Sequence, residues 1–270
     1  MITSTNNAKI KNIIVLRNKA KARKEAGLFL VEGSRMFSEV PEKMLREIYV
    51  TKEFLDKTIA LAEKNDSKAK AIYEKLKSRP FEIVSEEVFA KMSDTVTPQG
   101  ILCLVKCFRY DRNDLLAGDA PFLLVLEDIQ DPGNLGTMLR TAEGAGVTGI
   151  ILSRGTVDIY NPKVIRSTMG SIFRMPFVYE EDLVACLEEM KKKDIRVYAA
   201  ALDGAEEYAK SDFRGKTALL IGNEGNGLSR EAIASSTQAI YIKMAGKVES
   251  LNASISAAIL MYHAASQREC

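Results

Sequence analysis

Tryptophan is absent from the 270 residues, histidine occurs once and cysteine four times. His263 and the scattered Cys103, Cys107, Cys186 and Cys270 form no CxxC pair. No grouping therefore offers the ~3–4 ligands of a zinc site or the framework of a disulfide scaffold, and no metal is expected. Long apolar runs are missing as well. Nothing approaches the ~18–20 residues that span a bilayer, and residues 1–9 lack the apolar core of a secretory signal. A cytoplasmic protein without a membrane partner is expected. Charge of one sign is also lacking: 38 Lys and Arg against 36 Asp and Glu leave a net +2. Bulk electrostatics thus announces no polyanionic partner.

The distribution of charge says more than its sum. Residues 1–24 hold Lys9, Lys11, Arg17, Lys19, Lys21, Arg23 and Lys24 and no acid. This reads as a basic arm that seeks phosphate, or as the solvated face of a helix. Of the whole chain, 46% is hydrophobic and 27% charged, as in soluble globular proteins. Its length exceeds the ~100–200 residues of one domain, so two domains are expected.

Residues 34–92 alternate short strands and helices, with EIYV (47–50) and FEIV (81–84) as strands and a polar helical stretch between them. ILCLVK (101–106) is a further strand. Residues 109–120, RYDRNDLLAGDA, are polar, carry Gly118 and end before Pro121, as a linker does. The expected division is a domain over 1–108, a linker over 109–120 and a second domain over 121–270. In the latter, FLLVLEDI, GIILS, RVYAAAL, TALLIGN and AIYIKM are apolar strands, alternating with helices expected at about 135–145, after Pro162, at 182–193 and at 250–266. Such a pattern indicates an α/β domain with a parallel sheet covered on both faces.

Gly144, Gly146 and Gly149 match the dinucleotide fingerprint GxGxxG, but in reversed context. The fingerprint follows a strand and opens a helix, whereas this one closes a helix and leads into a strand. A helix end and a tight turn are the expected roles.

Three other loops carry unusual residues. EDIQDPGNLGTMLR (127–140) follows an apolar strand; Asn134 could be an N-cap, and an isolated Arg140 would ordinarily lie on the surface. LIGNEGNGL (220–228) places Gly222, Gly225 and Gly227 around Glu224; glycines let a backbone approach a ligand, or simply make a turn. IYIKMAGKVESLNASISAA (240–258) runs from a strand into a small-residue helix that Ser250 could cap. Singly, each signal is weak.

Together the loops resemble the three motifs of the SpoU (TrmH-like) family of SPOUT RNA methyltransferases, in order and spacing. The first is carried by Asn134, Gly136 and Arg140, followed by Thr141 and Ala142. The second is carried by Gly222, Glu224, Gly225, Gly227 and Leu228, and the third by Ile242, Met244, Ser250, Leu251 and Asn252. Lys243 and Ala253 stand where the family commonly has proline and valine. Upstream, GLFLVEGSRMFSEV (27–40) and TPQGILCLV (97–105) resemble the family's small RNA-binding domain, which is similar to the ribosomal L30e fold.

The resemblance implies an α/β fold: a C-terminal parallel-sheet domain with a trefoil knot and a smaller N-terminal α/β L30e-like domain. It implies S-adenosylmethionine as methyl donor and an RNA 2′-O-ribose methyltransferase, with Arg140, Asn134, Glu224, Ser250 and Asn252 as the catalytic set. Gly222, Ile242, Met244 and Leu251, with Leu202 against the adenine, would hold the donor. Lys19, Lys21, Arg23, Lys24 and Arg166 are the expected RNA contacts. The partners implied are RNA, with large-subunit rRNA favoured by the GLFLVEG start, and a second copy of the chain joined through the knotted domain. The same activity on tRNA, a non-catalytic knotted assembly factor and a base methyltransferase are the competing readings. Intact Arg140 and Asn252 argue against the last two.

Overall fold

Ile10, Ile13 and Leu16 recur at three-residue spacing, the interval that stacks side chains along one helix face. All three are buried in the computed structural model, which describes residues 1–202 and 205–268. Cys270 lies outside the described residues. Numbered in chain order, the first elements are α1 (Ala8–Asn18), α2 (Ala20–Ala26), β1 (Leu28–Glu32), α3 (Ser34–Glu39), β2 (Leu45–Thr51), α4 (Lys52–Glu63), α5 (Ser67–Lys77), β3 (Glu82–Val84), α6 (Glu86–Met92) and β4 (Ile101–Lys106). After them come α7 (Arg112–Leu116), β5 (Phe122–Leu126), α8 (Pro132–Gly144), β6 (Gly149–Ser153), α9 (Pro162–Thr168), β7 (Phe177–Glu180), α10 (Leu183–Lys192), β8 (Arg196–Ala200), β9 (Glu206–Glu207), β10 (Thr217–Ile221), α11 (Arg230–Ala234), β11 (Gln238–Tyr241) and α12 (Ala253–Arg268).

Two compact units result. The first takes Met1–Phe108 together with Tyr160–Phe173, and the second takes Arg109–Ile159 together with the chain from Arg174 onward. In the first, a mixed sheet has the order β1-β4-β2-β3, with β4 antiparallel to both neighbours and β2 parallel to β3. One core packs Ile10, Ile13 and Leu16 of α1 against Leu30, Tyr49, Phe89 and Leu102. The stretch expected as a basic arm is therefore two helices, one of which supplies core. Tyr160 belongs to the same unit: its ring lies 4.5 Å from that of Phe29, and its hydroxyl accepts the Phe108 amide at 2.6 Å.

The basic helices correct one sequence expectation. Arg23 is only 3% exposed, and its guanidinium donates to the carbonyls of Leu16 (2.6 Å) and Arg17 (2.9 Å) at the end of α1. It satisfies carbonyls that a helix end leaves without intrahelical partners, so it is not an RNA contact.

The second unit is built on a seven-stranded parallel sheet of order β7-β6-β5-β10-β8-β11-β9. Every residue of β5, β6 and β10 is buried, as expected where helices cover both faces. On one face Leu123, Val125, Val197 and Leu220 meet Leu187 and Met190 of α10. Leu115 and Leu116 of α7 join this core, so part of the stretch expected as a linker is folded in. On α8, Leu135, Met138, Leu139 and Ala142 are buried, and α12 packs along α8 and β10. Gly144 closes α8, Gly146 turns at φ +74° and Gly149 opens β6. The glycine fingerprint is thus a helix end and turn, as its context implies.

Replacing Arg23 with Met should cost about 1.5–3 kcal/mol, the contribution of hydrogen bonds from a charged donor. Urea unfolding followed by circular dichroism measures this; an unchanged midpoint would contradict the capping role.

Candidate active site

Ligands of open parallel sheets sit beyond the carboxyl ends of the strands, where the winding direction reverses. Here the chain winds outward from β5 through β6 to β7, while β10, β8, β11 and β9 lie on the other side of β5. The reversal falls between β5 and β10. The segments that leave β5, β10 and β11 are the three loops singled out in the sequence.

The first two loops are joined by a carboxylate. Glu224 Oε1 accepts from the Asp131 amide and from Asn134 Nδ2, each at 3.0 Å, while Oε2 accepts from the Gln130 amide at 3.0 Å. Burial alone would raise the pKa of Glu224, but these donors outweigh it and hold the carboxyl below its ordinary value. The glycines make the bend possible. A Cβ on Gly222 would meet the Gly227 backbone at 2.3 Å, and Gly227 turns at φ +68°. Asn223 Oδ1 accepts the amides of Gly225 and Asn226 at 2.9 Å and so fixes the turn from within. Asn223, Gln130 and Asp131 were not anticipated, although an Asn opening a glycine-rich turn and an Asp before Pro are both recognisable turn signals.

The third loop joins through an amide pair. Asn252 Nδ2 donates to Asn134 Oδ1 at 3.0 Å, while Asn252 Oδ1 accepts the Ser254 amide at 2.9 Å at the start of α12. Asn252, not Ser250, therefore caps this helix, and Ser250 lies exposed two residues before that cap. Likewise α8 begins at Pro132 under an Asp131 cap, Asp131 Oδ1 accepting the Asn134 amide at 2.8 Å, so Asn134 sits inside the helix. Its side chain is thereby free to bridge the other two loops.

Arg140 lies six residues further along α8, about 9 Å at the helical rise. It is exposed, and among the described residues it makes no hydrogen bond or ion pair. The residues expected around a cofactor leave neighbouring strands: Leu202 follows β8, Gly222 follows β10, and Ile242, Met244 and Leu251 follow β11, with β8 lying between β10 and β11. Leu202 is 64% exposed. Ile242, Met244 and Leu251 are partly exposed, and the backbone from 243 to 251 makes no hydrogen bond among the described residues.

In the first unit, Lys19, Lys21 and Lys24 are exposed on and beside α2, Lys21 lying 3.9 Å from Glu25. Arg166, in the last turn of α9, is paired with Asp94 at 2.7 Å. Any contact it makes with RNA has to share the guanidinium with that carboxylate.

A family model described as the SpoU rRNA Methylase family matches residues 121–262, and one described as an MRM3-like substrate binding domain matches residues 7–103. The chain is similar to the 23S rRNA (guanosine(2553)-2′-O)-methyltransferase RlmP of Bacillus subtilis, being 32% identical over 262 residues that cover 97% of this chain and 98% of the relative. It resembles a crystal structure described as an RNA 2′-O ribose methyltransferase, with 28% identity and a TM-score of 0.82 over 100% of this chain and 99% of the other. An AdoMet-bound rRNA methyltransferase from Sinorhizobium meliloti is similar over 97% of this chain and 96% of that one, at 26% identity and a TM-score of 0.81.

A carboxylate with a depressed folded pKa adds stability above its unfolded value and loses it as pH falls through the folded one. Glu224→Gln keeps one acceptor oxygen where the wild type has two. Its thermal midpoint should lie below wild type at pH 7, with the deficit closing below the ordinary glutamate value of 4.5. Equal midpoints at pH 7 would show that the carboxylate does not hold the loops.

Proposed function

This chain belongs to the SpoU rRNA methylase family, and from that membership we propose that it transfers the methyl group of S-adenosylmethionine to a ribose 2′-hydroxyl of large-subunit ribosomal RNA. The observation that carries this reading is the chain of hydrogen bonds Glu224–Asn134–Asn252, which ties the three loops together on the helix that bears Arg140.

The loops suit the methyl donor. Exposed Leu202 and the partly exposed Ile242, Met244 and Leu251 offer apolar contact for an adenine, and the unpaired backbone of 243–251 offers amides and carbonyls for its polar edge. Gly222 lets the loop after β10 fold close enough to complete that wall. When bound, S-adenosylmethionine supplies an electrophilic methyl group on a sulfonium.

Arg140 acts on the RNA. A guanidinium presents only donors and no acceptor, so it does not serve as a base. It would clamp a phosphate and stabilise the charge that develops on the ribose oxygen as the hydroxyl proton passes to solvent water, for which its planar fork of donors is suited. Asn134, Glu224 and Asn252 hold α8 and the loops in register, and exposed Ser250 stands free to meet the ribose. Orientation of this kind accounts for up to ~7–11 kcal/mol of barrier lowering in well-aligned reactions.

The first unit recognises the RNA, with Lys19, Lys21 and Lys24 as phosphate contacts inside the match to a substrate binding domain. We read residues 1–108 as this L30e-like domain and the knotted catalytic domain as beginning near 121. Membership of the SpoU family supports the knot. Exposed Val248, Ile255 and Tyr262 near and on α12 support a homodimer through that region. Among the described residues no helix is long and apolar enough to cross a membrane, and the proposed rRNA substrate supports a cytoplasmic reaction.

Three outcomes are expected. Arg140→Ala abolishes methyl transfer while calorimetry shows S-adenosylmethionine still bound; unchanged turnover would overturn the assignment. Lys19→Glu, Lys21→Glu and Lys24→Glu combined make the logarithmic salt dependence of RNA binding shallower by about 2–3, one contact being worth ~0.7–0.9. An unchanged slope would return these lysines to the solvated-face reading. Mapping of 2′-O-methylation in cells with and without the gene shows a site lost from large-subunit rRNA; a site lost from tRNA instead would move the substrate.

A further inference from the structure

The turn between β5 and α8 is held from both sides. Asp128 adopts the left-handed region at φ +54°, which few residues other than glycine, asparagine and aspartate occupy readily. On one flank stands the end of β6. The Asp128 amide donates to Ser153 Oγ at 2.8 Å, and that hydroxyl donates to Asp128 Oδ1 at 2.6 Å. Gly155 lies so close that a Cβ there would meet Asp128 Oδ1 at 2.2 Å, and its carbonyl accepts Gln130 Nε2 at 2.7 Å. On the other flank, Asn223 Nδ2 donates to the Asp128 carbonyl at 2.7 Å. Ser153, Gly155 and Asp128 bear none of the roles given to the three motif loops.

A left-handed residue reverses the direction of the amides that follow it. The next amides but one, those of Gln130 and Asp131, are the two that Glu224 accepts. Ile129, between them and Asp128, is buried and its carbonyl accepts the Val157 amide at 2.8 Å, so the turn has little freedom to readjust.

We propose that Asp128 is a positioning residue for methyl transfer: locked by Ser153 on one side and Asn223 on the other, it aims the Gln130 and Asp131 amides at Glu224 and so sets the start of the helix carrying Asn134 and Arg140. The inference rests on the methyltransferase reading for its kinetic consequence and on geometry alone for its structural one. Because the proposed cofactor contacts follow β8, β10 and β11, loosening this turn disturbs the placement of Arg140 more than the hold on the methyl donor.

The test uses the full chain with Asp128→Ala, Ser153→Ala and Asp128→Asn. Asparagine tolerates the left-handed region and keeps an oxygen where Ser153 can donate; alanine does neither. With rRNA from cells lacking the gene, both alanine variants should lose about ten- to a hundredfold in kcat while KM for S-adenosylmethionine stays within about twofold, and Asp128→Asn should recover to within about threefold of wild type. Hydrogen exchange on the protein alone should show the 127–135 amides opening faster in the alanine variants and unchanged in the asparagine variant. Turnover of the alanine variants within about twofold of wild type, an asparagine variant as impaired as alanine, or a KM rising in step with lost kcat would overturn the proposal. A wild-type protein that methylates no RNA is instead a failure of the functional reading. The exchange arm then still decides the geometry, unchanged exchange in Asp128→Ala overturning it.

Discussion

A carboxylate that accepts hydrogen bonds from two backbone amides and a side-chain amide of another loop can do so only if both loops are held to within a few tenths of an ångström. Glu224 does this with Gln130, Asp131 and Asn134, and the rest of the second unit is arranged to permit it. The parallel pairing of β5 with β10 brings the two loops out side by side. Glycine at 222 and 227 lets one fold back on itself, and an Asp131 cap with Pro132 starts α8 at the point where Asn134 faces the carboxylate. Asn134 then passes the constraint to Asn252 and so to α12. Three segments, the first and last of them joined by residues 118 apart in the chain, become one surface because amide side chains, which both donate and accept, can be relayed end to end.

The first unit follows a different logic, in which charge and burial share the same short helices. Lys19, Lys21 and Lys24 turn outward, whereas Arg23, between them in sequence, turns inward to close the end of α1. A cluster of positive charge in sequence is thus not yet a patch; the helical period sorts it.

Strands buried on both faces were legible because their apolar runs are continuous, as in FLLVL and TALLI. β7 and the two-residue β9 were not, being short and partly polar at the sheet edges. β11 ends at Tyr241, earlier than the run through Met244 suggested, because the chain leaves the ladder there to form the third loop. Ile10, Ile13 and Leu16 carried the signal for core in a stretch whose charges dominated the eye. Around the site, the spacing of Asn134, Glu224 and Asn252 identified residues that the fold joins, and it did so through family resemblance. Ser250 looked the better cap, yet the amide of Asn252 does both tasks, which spacing alone does not distinguish. The Asp128–Ser153 pairing, 25 residues apart between the turn after β5 and the end of β6, left no local signal, since serine closing an apolar strand is ordinary.

The central claim is that this arrangement methylates ribose. Purified protein incubated with tritiated S-adenosylmethionine and rRNA lacking the modification, followed by digestion to nucleosides and chromatography, tests it most directly. The account predicts that the label travels with a 2′-O-methylnucleoside. Label on a base-methylated nucleoside, or none transferred, would contradict it.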